Sequence, residues 1–293
     1  MITFILNLYV TRKIQFKNII EFVLLLTERK TTIRLVGDLN LYHEIKSEIH
    51  KYGFSSEKSD FMLRTVKKTC TDDHFHEYVH YENNHDGELV IYIGSNDKAA
   101  EAKYAEANDF DDNEISKIYG YPSCCAAAYQ DIVQDASWIN VFFSAQQAFH
   151  YPYQANKIAY LIPPYLSLHK DYFPCGIGCK KSIEDCKEAE VALKEVGLDY
   201  LLDKTIDHLT GLCLIYDKHL YFFWDYTLSI NVYSTLDKSW HMPISLNSGT
   251  HKKVHRIEVI GQLVSIHSEK ELIDSFYNTD NGNYFVIFQN EKK

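Results

Sequence analysis

Two clusters of cysteine, fifty positions apart from Cys125 to Cys175, constrain this chain more than anything else in it. The first is Gly120-Tyr121-Pro122-Ser123-Cys124-Cys125 and the second is Phe173-Pro174-Cys175-Gly176-Ile177-Gly178-Cys179. With Cys186 they hold five of the seven cysteines. Pro122 fits the first turn of a helix, where its missing N–H is no loss, and Ala126-Ala127-Ala128-Tyr129-Gln130 continues with good helix formers. Cys124 and Cys125 then sit near unsatisfied backbone N–H groups and the positive end of a helix dipole, a position that lowers a thiol pKa. In the second cluster Gly176 and Gly178 let the backbone fold so that Cys175 and Cys179 face one point, and a helix is expected from Lys181 to Val196.

Four thiolates from two segments suit an iron–sulfur cluster or, alternatively, zinc, since both are soft-ligand centres built from sulfur. The spacing matches neither zinc-ribbon pairs nor ferredoxin runs, so it does not name the metal. Adjacent cysteines are an awkward pair of ligands for one ion, because consecutive helical side chains point about 100° apart. One of Cys124 and Cys125 can be the ligand and its neighbour a packed or reactive thiol, with Cys186 as a substitute ligand seven residues after Cys179. Plain core packing is the alternative, since free Cys is among the most buried residue types.

Taken together, Gly120-Tyr121-Pro122-x-Cys124-Cys125 and His169-x4-Pro174-Cys175-x3-Cys179-x2-Ser182 resemble the signature of a poorly characterised archaeal and bacterial family, a domain of unknown function. That pattern is a GYPxCC box followed by a histidine, Pro-Cys, a second Cys and a helix-opening Ser; His169 stands farther from the Pro-Cys here. The resemblance covers residues 88 to 195. It implies a cysteine-centred site and no particular substrate.

A formal charge of −10 argues against binding nucleic acid or anionic membrane through net charge. Seven cysteines without a secretory signal read as cytoplasmic thiols or ligands rather than a disulfide framework. The apolar run Ile2 to Val10 has no basic leader and no small-residue cleavage site, and Ile19 to Leu26 is too short to span a bilayer, so no membrane segment is expected.

In chain order, Thr3 to Val10 reads as a buried strand, Phe16 to Glu28 as a helix, Thr32 to Val36 as a strand and Leu41 to Tyr52 as an amphipathic helix ended by Gly53. Phe61 to Val66 and Glu88 to Ile93 are further strands. Between them His74, His76, Tyr78 and His80 share one face if extended, the second candidate metal site, set against a hydrated polar hairpin. A helix over Asp97 to Lys103, capped at Ser95 or Asn96, leads to an acidic run of Glu106, Asp109, Asp111, Asp112 and Glu114 that reads as a solvated linker. A short helix from Glu114 to Tyr119 ends at Gly120, where glycine suits a left-handed cap.

Trp138 to Tyr165, between the boxes, is dense in aromatics and amides, the composition of a small-molecule pocket or of a hydrophobic centre. His150 and His169 are candidate acid–base groups or ligands, and His169 with Cys125 is the preferred catalytic pair. Lys170, Lys180 and Lys181 flank the second box.

From Gly211 onward, Leu212 to Tyr216, Leu220 to Trp224, Ser229 to Ser234, Arg256 to Ile260 and Tyr284 to Phe288 read as strands of a meander in a small sheet or barrel, interrupted by a helix from Glu269 to Tyr277. Cys213 within the first of these is a core residue. There is no phosphate-cradling glycine loop, dinucleotide fingerprint or nucleophile elbow. The expected fold is α+β: an N-terminal α/β layer over residues 1–110, a helical cysteine-bearing middle over 111–205 and a C-terminal antiparallel β-meander over 206–293. Two functions fit it. One is a metalloenzyme whose iron–sulfur cluster, or zinc, acts on a small molecule or peptide in the aromatic pocket. The other is a noncatalytic interaction protein whose zinc, held by Cys124, Cys125, Cys175 and Cys179, is a structural clip.

Overall fold

The computed structural model describes residues 1–65, 76–80, 87–108, 111–128, 153–154, 172, 175, 179–201, 211–216, 219–223, 226–229, 232–235, 239–243, 253–260, 263–277 and 284–289. Its class is α+β, as expected, with a four-stranded sheet flanked by helices followed by two five-stranded sheets.

The first sheet contains β1 (Thr32–Gly37), β2 (Phe54–Thr65), β3 (His76–His80) and β4 (Glu88–Ser95) in the order β1-β4-β2-β3, every pairing antiparallel. Central β4 is buried on both faces from Leu89 to Gly94, which explains its unbroken apolar run. Ile91 and Ile93 face a core built with α1 (Ile2–Val10), α2 (Phe16–Leu26) and α3 (Leu39–Ile49). Val90 and Tyr92 face the other way, toward Ala99 and Ala102 of α4 (Lys98–Ala107) and Tyr119 of α5 (Asp112–Tyr119). The sheet is thus the middle of three layers.

Residues 2 to 10 form a helix, not the expected strand. An apolar run of nine residues satisfies either period, and burial of Ile5 and Leu8 against α2 selects the helical one. Thr11 closes it by donating its hydroxyl to the Asn7 carbonyl at 2.8 Å. α3 is capped by Asp38, whose carboxylate accepts from the Leu41 amide at 2.7 Å, and ends through a 3-10 turn at Gly53, φ +81. The helix α4 begins after Asp97 rather than after Ser95 or Asn96.

The last described helix, α6 (Lys180–Glu195), belongs to the first core as well: Ala189, Ala192 and Leu193 pack with the side chains of α1, α2 and α3. Arg29, just past α2, holds its far end through two 2.7 Å bonds to the Glu195 carboxylate.

The remaining strands are β5 (Tyr153–Gln154), β6 (Gly211–Tyr216), β7 (His219–Phe223), β8 (Tyr226–Ser229), β9 (Val232–Thr235), β10 (Ser239–Pro243), β11 (Arg256–Ile260), β12 (Leu263–His267), β13 (Leu272–Tyr277) and β14 (Tyr284–Gln289). They form two sheets, β10-β7-β6-β14-β5 and β13-β12-β11-β9-β8, antiparallel except for the β14–β5 pair. Leu214, Tyr216 and Tyr221 of one pack against Ile257, Val264, Ile266 and Phe276 of the other, so the region is a sandwich. The rings of Tyr216 and Phe276 stack across it at 6.0 Å, and the Tyr216 hydroxyl donates to Asp274 at 2.8 Å. The helix expected over Glu269 to Tyr277 is β13 instead. Ser268 and Glu271 close a turn, and Leu272 to Tyr277 then pairs with β12, a long-range pairing that outweighs the local preference of Glu269-Lys270-Glu271.

Candidate metal centre

Three turns of chain bring the cysteines together. α5 stops at Gly120, whose φ of +69 and bond from its N–H to the Lys117 carbonyl make the expected left-handed cap. The Tyr121 amide reaches back to the Ser116 carbonyl at 2.8 Å, and the chain reverses. Pro122 is then the residue before a new helical turn over 123–128: its carbonyl accepts from the Cys125 and Ala126 amides at 2.9 and 3.0 Å, so the helix starts one residue later than proline at its first position implies. Cys179, at the other segment, is the N-cap residue of α6.

The two helix starts face each other. Sulfur separations are 3.9 Å for Cys124–Cys125, 3.8 Å for Cys124–Cys179 and 3.7 Å for Cys125–Cys179. All four ligand atoms, that of Cys175 included, lie within 4.8 Å of one another. Four sulfurs so placed can hold a metal ion, and they are the only group of three or more His, Cys, Asp or Glu among the described residues that can. Adjacency proves no obstacle for Cys124 and Cys125, because rotation about each Cα–Cβ bond can swing its sulfur inward. Cys175 donates its backbone N–H to the Cys125 sulfur at 3.4 Å. Cys186 is buried beside Cys125 and Cys179 but is outside the group of four.

Position at a helix start does not act equally on the thiols. Hydrogen bonds from Cys125 and then Cys175 pull Cys179 down to about 2. The same contacts with Cys175 and Cys179, together with burial, push Cys125 far above the ordinary thiol range. For Cys175 a lowering contact with Cys125 is outweighed by Cys179 and burial, leaving it at about 12. One anion shared among neighbouring S–H donors is the physical content, as expected of groups too close to ionise together.

A column of tyrosines backs the site. Tyr121, from the first box, stacks on Tyr119 at 5.5 Å and lies 5.2 Å from Tyr172. The Tyr172 hydroxyl donates to Asp185 at 2.8 Å, and burial followed by the Asp185 charge raises its pKa strongly. Ser182, wholly buried in the first turn of α6, hydrogen-bonds the same phenol. At the column's other end the Tyr119 hydroxyl donates to Glu106 at 2.7 Å, where Tyr92 at 2.9 Å and Arg34 at 3.0 Å also converge. Beneath Tyr121 lies the Lys30 ammonium, paired with Glu21; both side chains are nearly inaccessible.

Sequence reasoning missed this support. Ser182 and Asp185 stand at the i, i+3 spacing of one helix face, a signal that was available. Glu106, placed in a solvated acidic run, is instead buried, while Asp111 caps α5 by accepting from the Glu114 amide at 2.9 Å. His76, Tyr78 and His80 lie on β3, opposite Thr65, Leu63 and Phe61 of β2. Lys180 and Lys181 are exposed at the start of α6, and Cys213 lies on β6 opposite Val286. His169, His150, Lys170, His74, Cys70 and all of the aromatic stretch except Tyr153 and Gln154 lie outside the described residues.

Among the described residues no helix is long and apolar enough to cross a membrane. No family model, no curated protein and no solved structure matches the chain.

Proposed function

We propose that Cys124, Cys125, Cys175 and Cys179 bind a single tetrahedral ion, zinc foremost, and that the ion serves as a noncatalytic clip between the first box and α6. The observation that carries this is the sulfur spacing. Bonds of about 2.3 Å in a tetrahedron set sulfurs about 3.8 Å apart, and three of the separations here are 3.7, 3.8 and 3.9 Å. An iron–sulfur cluster, the centre favoured from sequence, spreads its four thiolates over two or four irons and so needs a wider spread of sulfurs. Four protein ligands also complete the tetrahedron and leave no open position for substrate, which is the arrangement of structural rather than catalytic zinc. Zinc would supply cohesion where two helix starts meet, and binding free energy would count toward folding.

Metal and sulfide analysis of the full chain purified without oxygen tests the reading. One zinc per chain in colourless protein, with cobalt substitution giving the absorption of a tetrahedral tetrathiolate, is the expected result. Brown protein with acid-labile sulfide overturns it in favour of a cluster.

A further inference from the structure

Of the four thiols only Cys124 is exposed; Cys175 is partly covered, and Cys125 and Cys179 are buried. This asymmetry is unexpected for a clip, because a reagent in solution meets one ligand before the others. We infer that Cys124 is an oxidation site for hydroperoxides, that Cys179 is its resolving partner, and that the centre exchanges its metal for a Cys124–Cys179 disulfide. The release of metal rests on the reading above, whereas the choice of thiol pair rests on geometry alone.

The sulfurs of Cys124 and Cys179 lie 3.8 Å apart across 55 residues. They need approach by only about 2 Å to reach bonding distance. Cys125 is as close to Cys179 but is 1% exposed, out of reach of a peroxide. A bond between Cys124 and Cys125 would close a small ring across a peptide unit held in a helical turn by two hydrogen bonds to the Pro122 carbonyl, a geometry that strains the planar amide. The exposed sulfur and its nearest partner in the other segment therefore make the productive pair.

The chemistry balances with hydrogen peroxide as the oxidant. The Cys124 thiolate attacks one peroxide oxygen, the O–O bond breaks, and hydroxide leaves, giving the sulfenic acid. The Cys179 thiolate then attacks that sulfur, forming the S–S bond and expelling a second hydroxide. Two electrons pass from the sulfur pair to one peroxide, and two protons from solvent convert both hydroxides to water. The ion keeps only Cys125 and Cys175 and departs. The disulfide still joins the two segments that the ion had joined, so oxidation removes the metal without freeing α6 from the first box.

The test uses the full chain loaded with zinc and treated with stoichiometric hydrogen peroxide. Released zinc is read with a chromogenic chelator, and disulfides are mapped by fragmentation mass spectrometry without reduction. Zinc release in step with a Cys124–Cys179 link is expected. Because Cys124 and Cys125 share a peptide and are both proposed ligands, the pair is assigned on metal-free variants: Cys125→Ser should still form a link to Cys179, whereas in Cys124→Ser the buried Cys125 should join Cys179 slower on the order of tenfold or more. Zinc retained with all thiols reduced, or a link joining any other pair, overturns the inference. If the protein binds no metal, the same mapping on the metal-free chain still decides the thiol pair. A Cys124–Cys179 link would then uphold the pair while the metal reading fails.

Discussion

The Lys30 ammonium stands 5.2 Å from the centroid of the Tyr121 ring, so the buried Lys30–Glu21 ion pair reaches a residue of the first cysteine box. Cation–aromatic contact of this kind strengthens when water is excluded, as it is here. The site is therefore not an appendage: its first wall is part of the N-terminal core.

Lys30→Met is expected to destabilise the fold by about 3–5 kcal/mol, because it leaves the Glu21 carboxylate buried without its counter-charge. One Glu21 oxygen has no hydrogen-bond partner among the described residues, so none of them takes up the load. Replacing both residues, Glu21→Gln with Lys30→Met, should recover most of the loss. Urea denaturation of the two variants measures the difference; equal destabilisation would show that the pair is not the cause.

Cys175→Ala and Cys179→Ala should each abolish metal retention, whereas Cys186→Ala and Cys213→Ala should leave it intact. Cys186 is the demanding control, since it is buried in the same small cluster as Cys125 and Cys179. Metal content of the four purified variants settles the matter, and loss in the Cys186 variant would move the ligand set.

Metal affinity should rise with pH through the neutral range. Cys125 and Cys175 are held in the protonated form by their neighbours and by burial, so the ion must displace their protons, while Cys179 is already a thiolate. Titration calorimetry in buffers of different ionisation enthalpy should find two or more protons released per ion near pH 7. A pH-independent affinity would contradict the proton inventory.

At the far end of the tyrosine column, Glu106→Ala should cost more than Tyr119→Phe. The first leaves Arg34, Tyr92 and Tyr119 without their shared acceptor, about 3–5 kcal/mol for a buried charge network. The second removes one donor, about 1–2 kcal/mol. Thermal unfolding of both, corrected to one temperature, gives the ranking.

In the sandwich, Phe276→Ala should destabilise by about 3–5 kcal/mol through loss of a buried ring and its stack on Tyr216. The zinc stoichiometry of this variant should stay unchanged, since none of the four thiols belongs to that core. Calorimetry and metal analysis on one sample read both outcomes.

What the sequence disclosed was whatever local chemistry decides. Gly120 as a left-handed cap, Gly53 as a terminator and the helix after Cys179 follow from neighbouring residues alone, and the structure has all three. Thr3 to Val10, read as a strand, and Glu269 to Tyr277, read as a helix, differ from the structure because their patterns permit two periods and only distant partners choose between them, α2 in one case and β12 in the other. The convergence of Cys124, Cys125, Cys175 and Cys179 was anticipated, but whether Cys186 or the second thiol of the Cys124–Cys125 pair joins the group depends on a separation of sulfurs that spacing along the chain does not encode. Glu106 looked solvated because its neighbours are acidic; its partners Arg34 and Tyr92 come from strands far away in sequence.

Helix α6 carries Cys179 at one tip and Glu195, gripped by Arg29, at the other. Its 16 residues make a strut of about 24 Å. A strut pinned at both tips has a required length: one inserted residue would advance one tip by about 1.5 Å and rotate it by about 100°. Either the thiol would leave its three companions or the guanidinium would lose its grip. The distance between thiol cluster and clamp is thus gauged by helix pitch, and this segment should tolerate substitutions on its outer face far better than any change in the number of its residues.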